Sequence, residues 1–222
     1  MRTNKRTFPP AEIVPESWLA PLDLSLIFGR AAPLEVDLGC GDGTFLAALA
    51  QEQPARNFLG VERLAGRVRG ACRKIGDGQL PNARVLRGGI LDVLRALLSP
   101  NSVAVLHLLF PDPWPKRRHH QRRIVTEEFL RAALDVLEPG GELRIATDDA
   151  EYFARMERVC GAVSGFEICL PPGIPPLGQS TFENRFRARG AAIHRLTLQK
   201  RWRAAAASSV EGGMEPGAVS IR

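Results

Sequence analysis

Cysteine is scarce in this chain, with only Cys40, Cys72, Cys160 and Cys169. No two of them have the spacing of a zinc-ligand pair or a redox C-x-x-C. That excludes a disulfide scaffold and a zinc ribbon, and makes reduced thiols in a cytoplasmic protein the expectation. The histidines are no better arranged for metal, because His119 and His120 are neighbours while His107 and His194 stand far off. There is no apolar run of membrane-spanning length and no charged-then-apolar leader. The expectation is a protein that is neither secreted nor membrane-embedded and that binds no metal.

What is present fits a soluble enzyme-sized domain. A chain of 222 residues with 45% hydrophobic and 24% charged content can bury one sizeable core and need not form two. We expect a single domain over residues 12–203, preceded by a flexible basic arm (1–11) and followed by a disordered Ala/Ser/Gly-rich tail (204–222). A formal charge of +6 and a pI near 9.7 are a moderate excess of positive charge. Where that charge is concentrated, a polyanion such as nucleic acid is the expected partner.

Apolar runs that read as strands occur at 34–39, 57–62, 83–88, 102–110, 142–147, 165–170 and 192–200, and a helical stretch is expected around Trp18 to Phe28. Further helical patterns fall between the early strands. Arg63 to Ile75 and 91–98 read as helices, as does 126–137, with Thr126 as its cap. Pro139-Gly140-Gly141 reads as a turn. Alternating strands and helices, with the early strands almost continuously apolar, predict an α/β fold. Its sheet is mostly parallel, of about seven strands, with helices on both faces and an antiparallel edge. In such sheets ligands lie beyond the carboxyl ends of the strands, where the strand order switches. Asp37, Glu62, Asp112 and Asp148 all stand at or just past strand ends, which predicts one shared crevice.

The segment D-L-G-C-G-D-G (37–43) puts Gly39, Gly41 and Gly43 between a strand and a helix, where a ligand can approach the backbone closely. A dinucleotide site needs G-x-G-x-x-G and a pyrophosphate on the helix N-terminus. Here the third glycine comes early, and acids flank the loop at Asp37 and Asp42. Carboxylates repel pyrophosphate but suit a cation with an amino group, a description that S-adenosylmethionine fits. Glu62 is placed for the ribose hydroxyls, since a carboxylate can accept two hydrogen bonds from a diol.

The most informative stretch is FPDPWPKRRHHQRR, Phe110 to Arg123. Pro111, Pro113 and Pro115 stiffen it around Asp112 and Trp114. Lys116, Arg117, Arg118, Arg122 and Arg123 follow. An acid and a flat ring beside dense positive charge suit a base carried on a phosphate backbone.

On these residues the chain resembles the bacterial tRNA (guanine-N7-)-methyltransferase family, Rossmann-like S-adenosylmethionine-dependent enzymes, from about Leu34 to Leu198. PDPWPKRRHHQRR resembles the family's PDPWxKxRHxKRR, with Gln121 in place of the usual lysine. RIATDDAEY (144–152) resembles its segment after the fifth strand, and STFENRF (180–186) its T-x-[FY]-E-x-[KR]-F. The resemblance implies methyl transfer to N7 of a variable-loop guanosine in tRNA, by a monomer or homodimer. It implies Asp37, Gly39, Gly41, Glu62 and Asp112 at the cofactor, with Asp112 also at the reaction centre. Lys116, Asp148 and Ser180, Thr181, Phe182 and Glu183 are implied at the substrate. Trp114 is expected against the target base or walling its pocket, with Arg122 and Arg123 at phosphates. The family usually has Asp or Asn at the cofactor's adenine where this chain has Gly89. Either a backbone group or Asp92 takes over, or cofactor affinity is lower. Two competing readings are a methyltransferase acting on an exocyclic amine of a base and a non-catalytic RNA-binding module with a vestigial cofactor fold.

Overall fold

A computed structural model describes residues 10–169, 190 and 192–202. The expected arm and tail lie outside the described residues, save for Pro10 and Ala11, and so do Ser180, Thr181, Phe182 and Glu183. The elements in chain order are β1 (Glu12–Ile13), α1 (Leu24–Phe28), β2 (Leu34–Leu38), α2 (Thr44–Glu52), β3 (Asn57–Glu62), α3 (Ala65–Asp77) and β4 (Ala83–Arg87). Next come α4 (Ile90–Asp92), which runs into a π-helical turn at Val93–Leu97, and β5 (Val103–Leu109). After a 3-10 helix at Arg117–Arg122 follow α5 (Glu127–Val136), β6 (Leu137–Thr147), α6 (Ala150–Ala162), β7 (Phe166–Cys169) and β8 (His194–Lys200).

Among the described residues the strands form one 8-stranded sheet in the order β1-β4-β3-β2-β5-β6-β8-β7. All neighbours are parallel except β6–β8 and β7–β8, the antiparallel edge. The chain runs outward from β2 through β3 to β4, then returns to lay β5 on the other side of β2. The switch in strand order therefore falls between β2 and β5, where Asp37 is paired in register with His107. β2 and β3 are buried along their whole length. Strands covered on both faces are mostly apolar, which makes these runs legible in the sequence, and the buried polar exceptions are Glu35 and Asp37 in β2 and Asn57 and Glu62 in β3.

Each face has its own core. Phe45, Leu46 and Leu49 of α2 and Val68, Ala71 and Ile75 of α3 pack on Phe58 and Val85 on one side. Phe129 and Leu130 of α5 and Tyr152 and Met156 of α6 pack with Leu94, Leu106 and Ile145 on the other. Thr126 caps α5 by accepting a hydrogen bond from Phe129 N, as the sequence led us to expect.

The structure differs from the sequence reading in three places. β1 adds an edge strand to β4, with Val85 N donating to Ala11 O. The helix expected around Trp18 to Phe28 is only Leu24–Phe28, because Pro21 interrupts it and Asp23 caps the short remainder through Leu26 N. Finally, Pro139-Gly140-Gly141 does not separate helix from strand but bulges within β6. The register jumps there from Val103↔Leu137 to Val105↔Glu142, with Gly140 at φ +82.

Candidate functional site

The site is built on the carboxyl rim of β4, β3, β2, β5 and β6. The glycine loop leaves β2 and is pinned to β3, because Gly39 N and Cys40 N both donate to Val61 O. Gly43, at φ +74, ends the loop as the N-cap of α2, in a left-handed geometry that a side chain would strain. A Cβ there would stand 2.5 Å from that of Ala71, so α2 and α3 meet at this point through the absence of a side chain.

Two acids line the floor. Glu62 is buried at the end of β3, where it accepts hydrogen bonds from Gly41 N (3.2 Å) and Leu64 N (2.8 Å) and lies 3.7 Å from Arg67. Asp37 is buried at 4% exposure and has no side-chain hydrogen bond or ion pair among the described residues. Burial, reinforced by the charge of Glu62, pushes its carboxyl up to about 7. A buried acid with no countercharge is a poor structural element and a suitable receptor for a cation. Asp42, the other acid that flanks the loop, binds Lys74 at 2.6 Å and accepts from the hydroxyl and amide of Thr44. Its carboxylate is satisfied, so Asp42 braces the loop rather than serving a ligand.

At the end of β4, Gly88 N donates to Glu62 O, so this rim adjoins the Glu62 end of the site. Gly89 follows as the residue before α4, and the Asp92 carboxylate lies against it. A Cβ on residue 89 would be 2.5 Å from Asp92 Oδ2. The Asp92 carboxylate thus fills the place of the side chain that residue 89 lacks. The ring of Trp18, 41% exposed, covers Gly88. Neither Trp18 nor this placement of Asp92 was read from the sequence, because both depend on chain segments meeting in space.

The proline-rich loop follows β5, whose end is tied to β6 by Phe110 N donating to Ala146 O. Phe110 (φ +51) and Trp114 (φ +45) both take left-handed backbone, which turns the chain sharply either side of Asp112. Asp112 is exposed and accepts a hydrogen bond from Trp114 N at 3.0 Å. Trp114 is half-buried, with the Arg122 guanidinium 4.9 Å from the ring centroid and the His119 ring set edge-on at 5.7 Å. Lys116, Arg117, Arg118 and Arg122 are exposed. Arg123 departs from the expectation that it meets phosphates. Its side chain is 0% exposed and is occupied by Pro113 O, Glu151 and the ring of Tyr152. Asp148 follows β6, half-buried and free of capping duty, since the cap of α6 is Asp149 through Tyr152 N.

One buried cluster escaped the sequence reading. His107 Nε2 donates to Glu35 Oε2 at 2.8 Å, and Arg56 lies 3.0 Å from the other Glu35 oxygen. Burial holds the imidazole below its usual value and so neutral, while burial of Glu35 is outweighed by the His107 hydrogen bond and then by Arg56, which hold its carboxyl below the usual carboxylate value. His107 is the register partner of Asp37, so this cluster underlies the floor of the site. Among the described residues no group of three or more His, Cys, Asp or Glu could hold a metal ion.

Known proteins resemble this chain in sequence and in fold. Residues 31–196 match a family model described as a putative methyltransferase. The chain is 36% identical over 185 residues to a tRNA (guanine-N(7)-)-methyltransferase of Syntrophotalea carbinolica, covering 81% of this chain and 79% of that one. It is 38% identical over 191 residues to a protein of the same name from Halorhodospira halophila, covering 81% and 80%. Among solved structures it superimposes on the 16S rRNA methyltransferase KamB with a TM-score of 0.59 at 19% identity, covering 81% of this chain and 93% of that one. The aminoglycoside resistance methyltransferase NpmB1 superimposes with a TM-score of 0.58 at 21% identity, covering 80% and 92%. The parallel sheet, its switch point beside Asp37, the proline-locked Asp112 loop and the extent of these matches together place the chain in the bacterial tRNA (guanine-N7-)-methyltransferase family.

Proposed function

We propose that this protein transfers a methyl group from S-adenosylmethionine to N7 of a variable-loop guanosine in tRNA, in the cytoplasm. The observation that carries the reading is the pairing of two unlike acids across the switch point. Asp37 is buried without a countercharge, and Asp112 is exposed on a stiff loop beside a cluster of cations.

The residues fit this cofactor. Asp37 and the glycine loop suit its cationic end, and Glu62 at the end of β3 suits a ribose diol. Next along the rim stand Trp18, Gly88 and the Asp92 carboxylate beside Gly89. An exocyclic amino group on a flat base would find there an acceptor in Asp92 and an apolar surface in Trp18. Asp92 therefore answers for the side chain missing at Gly89. The chemistry the cofactor supplies when bound is an electrophilic methyl carbon on a sulfonium.

Guanine N7 carries a lone pair and no proton, so its attack needs no general base, and the chain's task is to position and to steer charge. Positive charge gathers on the five-membered ring of the purine as the bond forms. The Asp112 carboxylate, fixed by Trp114 N, stands where it can oppose that charge, an effect worth about 3–4 kcal/mol in well-organised sites. Asp148 is available to accept from the N1–H and N2 edge of guanine, the donors that adenine lacks. Lys116, Arg117, Arg118 and Arg122 are exposed for phosphates, which place the RNA without reading its sequence.

The test is incubation with labelled cofactor and bulk tRNA, followed by digestion and identification of the modified nucleoside. 7-Methylguanosine is expected. A methyl on an exocyclic amine would replace this reading with the alternative one, and no incorporation together with no cofactor binding by calorimetry would point to a vestigial fold.

A further inference from the structure

We propose that Arg123 is a positioning residue: its guanidinium fixes the Asp112 loop to the first turn of α6, and so sets Asp112 and Asp148 relative to each other. This rests on the reading of the rim as a methyl-transfer site.

Five cations follow Asp112, and four of them are exposed while the Arg123 side chain is wholly withdrawn from solvent. Burying a guanidinium is costly unless its donors are matched, so its partners are informative. Arg123 Nε donates to Pro113 O at 2.7 Å, the carbonyl between Asp112 and Trp114. Its two terminal nitrogens grip both oxygens of Glu151 in α6. The guanidinium carbon lies over the Tyr152 ring, 4.7 Å from its centroid, and the Tyr152 hydroxyl accepts from Val125 N. One side chain thus joins the loop, the helix and the segment leading to α5.

The loop's composition explains why such an anchor is required. Pro111, Pro113 and Pro115 have no N–H, so the 111–115 stretch can be tied down chiefly through its carbonyls, and a carbonyl needs an outside donor. Only arginine offers donors in a planar fork that can serve a carbonyl and a bidentate carboxylate while stacking on a ring. Lysine, a compact ammonium on a flexible stem, cannot make all three contacts. Glu151 stands two residues beyond Asp149, the cap of α6, and three beyond Asp148. The position of Asp148 against Asp112 is therefore transmitted through this clamp.

The experiment compares Arg123→Lys, Arg123→Gln and Arg122→Gln in the full chain. Amide hydrogen exchange over 110–118 is expected to quicken in both Arg123 variants and to stay at the wild-type rate in Arg122→Gln. With tRNA, the Arg123 variants should lose kcat by about 10- to 100-fold, with KM and the salt dependence of binding unchanged. Arg122→Gln should instead raise KM and lower the salt slope. Wild-type exchange and kcat in Arg123→Lys would overturn the proposal, and so would a reduced salt slope in that variant, which would make Arg123 a phosphate contact. Should Arg123→Gln fail to fold, Glu151→Gln keeps the bond to Pro113 and removes the ion pair. A smaller gain in exchange and a several-fold loss of kcat are expected there, and wild-type values would again overturn the clamp. If the wild-type protein transfers no methyl group to tRNA, the functional reading fails by itself, while the exchange comparison still decides the clamp.

Discussion

Asp37 and Asp112 are both carboxylates on one rim, and their surroundings give them different work. Burial and the charge of Glu62 raise Asp37 to about 7, against an unfolded value near ~3.9. The native state therefore holds a proton on Asp37 that the unfolded chain releases. Its contribution to stability is complete below the unfolded value and is lost as pH rises through about 7. Without ligand, thermal stability should fall between pH 5 and 8 by more in the wild type than in Asp37→Asn. Parallel melting curves would show that Asp37 is not protonated in the folded state. A cationic ligand reverses the preference, because it favours the carboxylate. Cofactor Kd should then fall about tenfold per pH unit below 7 and level off above it, with a proton released on binding. Calorimetry in two buffers of unlike ionisation enthalpy measures that proton, and affinity independent of pH would remove Asp37 from the cationic subsite. Asp112→Ala should abolish turnover with only a modest loss of tRNA binding, and wild-type rates in that variant would take it out of the mechanism.

Among elements, the tightest constraint near the site is where α2 meets α3. Gly43→Ala would place a methyl 2.5 Å from Ala71 Cβ and 2.8 Å from its Cα, at a φ of +74. Strain and overpacking together should cost about 2–4 kcal/mol, read as a lower midpoint in denaturant at unchanged slope. Adding Ala71→Gly should restore part of this and not all, because the backbone contact and the left-handed φ remain. Full restoration would show that side-chain crowding alone sets the junction. β2 and β3 were legible in the sequence because a strand covered on both faces is mostly apolar along its length, and against that background the buried acids Asp37 and Glu62 stand out. β1 was not, since two residues have no periodicity and its pairing rests on backbone groups that any residue carries. Arg122 and Arg123 show the same limit at the site. They are neighbours with identical chemistry, yet one lies over Trp114 at the surface and the other is sealed against Tyr152. The sequence announces the cations and their stiff loop, but the direction of each side chain follows from where the 3-10 turn ends and where α6 packs. Asp92 was likewise visible as an acid, while its lying against Gly89 depends on the turn that opens α4.

For the molecule as a whole, the question is how a net charge of +6 reaches the substrate. The acids of the floor, Asp37 and Glu62, are buried, whereas Lys116, Arg117, Arg118 and Arg122 stand exposed on the same rim. A polyanion approaching the carboxyl edge of the sheet therefore meets concentrated positive charge before it meets the carboxylates. Because Arg123 is turned inward, the loop presents one cation fewer than its sequence suggests. Association should be salt-dependent, since each phosphate neutralised releases condensed counterions. Replacing Lys116 and Arg122 together by glutamine should reduce the slope of log K against log salt by about one per lost contact, and cofactor affinity should not change. The same pair of substitutions should weaken binding of unrelated RNA in proportion, because phosphate contacts carry no sequence information. A slope equal to that of the wild type would move the RNA footprint off this rim. The basic loop would then be a solvated turn, and tRNA would have to reach Asp112 from the side of the sheet that β1 and Trp18 border.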